Sequence, residues 1–180
     1  MLSELITLLE GTRHGLTLAE ISRGLTPVEL TADAATRVAI ARELGLERLD
    51  SFTARVRARP WLDGAEIRGS LTAEVTQICS LTGEPFEQTL TSDFTVRAVP
   101  EGSEAAPKSE SMEVDIDPEG DDPPDVLTAD KVDLAAYVVE HLALEVDPFP
   151  RKPGAVYVPP VEDNVLSPFA ALSKLKPRAE

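Results

Sequence analysis

Residues 50–99 read DSFTARVRARPWLDGAEIRGSLTAEVTQICSLTGEPFEQTLTSDFTVRAV, and a period of two runs through most of the stretch. In the first run Phe52, Ala54, Val56 and Ala58 fall on one side and Thr53, Arg55, Arg57 and Arg59 on the other, the alternation of a half-buried strand. The turn WLDG leads into a second run that aligns Ile67, Gly69, Leu71, Ala73, Val75 and Cys79. After SLTGEP a third run aligns Phe86, Leu90, Phe94, Val96 and Ala98. Short, turn-rich links join the three runs. They read as an antiparallel meander whose apolar face must be covered by helices or by closure of the sheet.

The flanks supply the cover. TADAATRVAIARELGL predicts a helix over 33–44, with Thr31 or Asp33 as cap, Val38, Ile40 and Leu44 at supporting positions and Gly45 as the stop. VDLAAYVVEHLALEV sets Leu134, Val138, Leu142 and Val146 at helical spacing behind Asp133, predicting a helix over 133–145. Leu2, Leu5, Ile6 and Leu9 have the spacing of a short N-terminal helix ended by Gly11, and Pro27, Val28 and Leu30 favour an extended piece over 27–30. The expected class is α+β: an antiparallel meander, open or partly closed as a barrel, packed by two main helices. The expected organisation is a helical extension over 1–16, one domain over 17–150, and a Pro-rich linker with a basic amphipathic tail over 151–180.

The charge is unevenly placed. Of a net −15, residues 1–60 contribute nothing, with eight acids against eight arginines, whereas 101–150 hold fifteen acids against two bases. Within it, PEGSEAAPKSESMEVDIDPEGDDPPDVLTAD, residues 100–130, buries too little to offset its ordering entropy, which predicts a long mobile acidic loop with a brief strand at Met112 to Ile116. This balance repels nucleic acid overall and attracts basic partners, unless a local basic patch is turned toward phosphates. One Cys excludes an internal disulfide, no targeting segment is visible, and no apolar run reaches membrane-spanning length. A reducing cytoplasm is the expected location, with no membrane partner.

No P-loop, GxGxxG or GxSxG occurs, and His14 and His141 lack ligand spacing, so no catalytic residue, metal or cofactor is expected. Glu113, Asp115, Asp117, Asp121 and Asp122 lack the pattern of a calcium loop and read as a solvated acidic surface. Cys79 has inward parity, which predicts a buried, inert thiol at the hairpin corner ICSLTGEPF. Arg55, Arg57 and Arg59, joined by Arg48 or Arg68, present guanidinium groups suited to phosphates; the alternative is a solvated face in which they meet Glu74 or Asp93 across strands. TLAEISRGL has the outline of half a helix-turn-helix, but the helix after it offers only Arg37 and Arg42, so DNA reading is not expected.

The order VELTADAATRVAIARELGL, LTAEVTQICSLTGEPFEQTLTSDFTVRAVPEG, VDLAAYVVEHLALEVDPFPRKPGA and SPFAALSKLK, covering about 17–176, resembles the YceD family, the large ribosomal RNA subunit accumulation proteins, in its proteobacterial branch. The resemblance implies a non-catalytic factor for accumulation, processing or assembly of large-subunit ribosomal RNA, with that RNA or a pre-ribosomal particle as partner. Many members carry Cys-x-x-Cys where this chain has CSLT. Cys79 matches but Thr82 does not, so a metal or redox pair is not carried over, while Gly83, Glu84 and Pro85 match the rest of the turn. The charges leave two routes open. Arg55, Arg57, Arg59 and the tail lysines Lys174 and Lys176 touch RNA, or the acidic loop shields a basic large-subunit ribosomal protein.

Overall fold

A computed structural model of the chain describes residues 9–10, 15–24, 27–107 and 122–157. In chain order the elements are β1 (Leu9–Glu10), β2 (Gly15–Thr17), α1 (Leu18–Ser22), β3 (Val28–Ala32), α2 (Ala34–Glu43), β4 (Arg48–Trp61), β5 (Gly64–Ile78), β6 (Pro85–Pro100), β7 (Asp125–Leu127), β8 (Lys131–Asp133) and α3 (Leu134–Glu145). The three long strands are the period-two runs, and their inward residues Phe52, Val56, Ile67, Leu71, Val75 and Leu90 join Ile40 of α2 and Leu142 of α3 in one buried cluster.

Local chemistry starts both main helices where the sequence expects. The Asp33 carboxylate accepts the Thr36 N–H at 2.7 Å, and Asp133 accepts from Ala135 and Ala136 at 3.1 and 3.2 Å. Each satisfies backbone donors that an opening helical turn leaves without partners. Leu134, Ala135, Val138, Val139 and Leu142 form the buried stripe of α3. The Thr17 and Glu20 capping box encloses the short α1, but β3 separates α1 from α2, so no helix-turn-helix forms.

The six-stranded sheet has the order β1-β3-β4-β5-β6-β7, and β2 pairs with β8 apart from it. Every contact in the larger sheet is antiparallel except β6 with β7. The barrel alternative falls away, because the sheet stays open, with the short β1 and β7 at its two ends. Cover by α2 and α3 leaves the apolar face no need of closure.

Most of the expected N-terminal helix lies outside the described residues, but its last position, Leu9, pairs with Ala32 as strand. The expected strand at Met112 to Ile116 lies outside them too, as do Glu113, Asp115, Asp117, Asp121, Lys174 and Lys176. Within the stretch read as loop, Asp125–Leu127 instead runs parallel to Ala98–Pro100, because Val126 and Leu127 continue the sheet where its edge is free.

The Pro-rich stretch after α3 returns across the β5–β6 corner. Ser80 N–H donates to the Pro150 carbonyl at 2.8 Å, Lys152 N–H points at Cys79 Sγ at 3.4 Å, and Lys152 Nζ meets Glu84 at 2.9 Å. Gly83 turns the corner with a φ of 72°, a left-handed conformation that suits glycine.

Candidate functional site

The helices occupy one face of the sheet, and the other carries the arginines. Register turns their sequence positions into a grid: Arg55 stands opposite Ser70, Arg57 opposite Arg68 and Arg59 opposite Glu66. On the far side of β5, Glu66 stands opposite Arg97, Arg68 opposite Thr95 and Ser70 opposite Asp93. Directly opposed side chains in such a pair have Cβ atoms about 5 Å apart, so Arg57 and Arg68 meet as like charges.

Glu66 is the hub of this grid. Although it projects from the outer face it is only 2% exposed, because guanidinium groups close over it. Arg59 Nε and Arg68 Nε donate to Glu66 Oε1 at 2.7 and 2.8 Å, and Arg97 Nε lies 3.8 Å from Oε2. Burial by itself pushes the Glu66 carboxyl up, yet hydrogen bonds from Arg68 and Arg59 and their charges outweigh it and hold the group below its ordinary value. The ionised hub is held between Arg59 and Arg68, and Arg57 makes no ion pair among the described residues. A shallow depression of about 290 Å³ opens over Arg57, Arg59, Glu66 and Arg68. At the end of the grid Arg97 lies over the Trp61 ring, 5.1 Å from its centroid.

Arg55 is engaged differently, since both its Nε and a terminal nitrogen bind Glu29 of β3. Glu29 and Glu66 are therefore the acidic partners of the strand arginines, in place of Glu74 or Asp93. Arg48 pairs with Asp50 and Glu87 at the opposite end of the sheet, away from the cluster. Arg97, Glu66 and Trp61 were missed by sequence reasoning. A two-residue turn at Leu62 and Asp63 is the signal that could have found them, because it sets Arg57 against Arg68 and Arg59 against Glu66.

Cys79 is 1% exposed at its corner. Its thiol is not electronically inert: a hydrogen bond with Thr82 and the Lys152 N–H pull it down from its ordinary value to about 7, against burial. Asp122 lies at a separate cavity of about 380 Å³ with Arg97, Asp125, Tyr137 and His141. Among the described residues no three His, Cys, Asp or Glu side chains gather as a metal site, and no helix is long and apolar enough to cross a membrane.

Fold and surface together define an α+β protein with an antiparallel meander, helices on one face and an arginine grid on the other. The model of the family described as large ribosomal RNA subunit accumulation protein YceD matches residues 67–176, and the chain belongs to that family. This description gives it a role connected with the large ribosomal subunit. Neither a curated protein nor a solved structure matches the chain.

Proposed function

We propose that the protein supports large-subunit ribosomal RNA by holding RNA phosphates on the outer face of its sheet, without catalysing a reaction. The observation that carries this reading is the opposition of Arg57 to Arg68 beside a hub whose single carboxylate is shared by Arg59 and Arg68. Like charges face to face cost the sheet stability, and a polyanion bound over them removes that cost. The net charge of −15, with fifteen acids in residues 101–150, repels RNA overall, so binding depends on local basic groups such as this grid.

The test is binding of a labelled large-subunit ribosomal RNA fragment over a range of salt. Affinity is expected to fall linearly on logarithmic axes, and Arg57→Ala to reduce the slope by about one unit. The double variant R57A/R59A is expected to bind at least tenfold more weakly, at roughly 1 kcal/mol per lost phosphate contact. Unchanged retention by that variant would sink the reading. A second reading has the concentration of fifteen acids over 101–150 in its favour: capture of a basic ribosomal protein. Neutralising Glu113, Asp115, Asp117, Asp121 and Asp122 together abolishes such capture if it operates through them, and leaves RNA binding by the arginine grid intact.

A further inference from the structure

The β4–β5 turn carries Leu62, an apolar side chain that the core does not account for, next to Trp61 and the arginines. Leu62 has a φ of 52° and is 69% exposed. A branched aliphatic residue is strained in that left-handed region, where glycine is at ease. Here strain is combined with an apolar side chain left in water, so the leucine serves neither turn geometry nor the core. Next to it stands half-buried Trp61, which carries Arg97 against its ring.

The tip is also held in place before any ligand arrives. Ser103 Oγ donates to Asp63 Oδ1 at 2.8 Å, and Gly64 sits so close to the Ala98 carbonyl and the Val99 backbone that a Cβ there would overlap both. Trp61 and Leu62 are therefore presented at a fixed place relative to Arg59, Arg68 and Arg97, which all converge on Glu66 three residues beyond the turn.

We infer that this tip is a stacking platform for unpaired nucleobases, so that the grid takes single-stranded RNA in preference to duplex. The inference rests on the phosphate-binding reading above and narrows it. A duplex offers the grid phosphates but keeps its bases stacked on one another, leaving Leu62 and the open part of Trp61 in water. A single strand offers both, since its phosphates reach the arginines while a splayed base covers the indole and the leucine. Base stacking on aromatic side chains is tolerant of sequence, so the expected preference is for strandedness rather than for a base.

Trp61 is the chain's single tryptophan, which makes the platform its own reporter. The full-length protein is titrated with an end-labelled oligouridylate and, separately, with an end-labelled RNA duplex of equal phosphate count, following label anisotropy and tryptophan emission together. Both RNAs are expected to raise anisotropy, the single strand more tightly, and only the single strand to quench Trp61. In Leu62→Gly, which relieves the backbone and so keeps the fold, single-strand affinity is expected to fall about tenfold with duplex affinity unchanged. Binding of the single strand without quenching, or equal loss of both RNAs in Leu62→Gly, overturns the platform and leaves the phosphate reading standing. Absence of an anisotropy change with either RNA overturns both.

Discussion

Replacing Glu66 by Gln tests whether the hub holds the outer face together. The substitution keeps the shape and removes the charge that Arg59, Arg68 and Arg97 share. A hydrogen bond to a charged group contributes about 1.5–3 kcal/mol, and two short ones converge on Oε1. The Arg59 and Arg68 side chains are 63% and 61% exposed, so water recovers much of what they lose. The net expectation is a loss of about 2 kcal/mol, or about 6 °C in Tm for a chain of this size. The pH dependence carries the sign. Because the folded carboxyl lies below its ordinary value, its contribution is complete above that value and disappears as pH falls through the lowered one. Urea denaturation of parent and variant, at neutral pH and across the acid range, should therefore show a lower midpoint with an unchanged slope at neutrality. The two curves should converge on acidification. A Gln variant as stable as the parent at neutral pH, or a difference that persists in acid, would refute the hub.

Further expectations concern packing, the corner thiol and Arg57. Gly69→Ala places a Cβ against the Phe94 ring, which is backed by His141 at 4.1 Å and has little room to retreat, so a loss of about 2 kcal/mol is expected by thermal denaturation. Native Cys79 should react with iodoacetamide far more slowly than a free thiol of the same acidity, because it is 1% exposed; fast labelling would contradict the enclosed corner. Its lowered value also makes the thiol's contribution to stability largest above the ordinary thiol range and lost as pH falls through about 7, a trend that Cys79→Ser should remove. Arg57→Ala should change folding stability by less than about 0.5 kcal/mol, because the side chain is exposed and faces a like charge; a large loss would make Arg57 structural.

Much of the frame was legible in the chain. Strand alternation, the caps Asp33 and Asp133 and the turn at Gly83 act within a few residues of themselves, so reading neighbours suffices to find them. The openness of the sheet was not legible, since it depends on where β1 and β7 end up rather than on what they contain. Arg57 and Arg59 could be placed on one strand face from parity, but their surroundings could not. Whether an arginine meets a carboxylate or another arginine depends on register between strands, and a shift of one residue reverses every partner.

By itself the sequence determined the class of the fold, the inward faces of its long strands, the starts of its two main helices and the uneven spread of charge, because period, capping and composition are local properties. Only the tertiary structure decided that Glu66 would be buried beneath Arg59, Arg68 and Arg97, that Arg55 would be engaged by Glu29, and that Leu62 and Trp61 would stand at the edge of the same cluster. Those relations join β3, β4, β5 and β6, and cross-strand register is the physical link that brings them together.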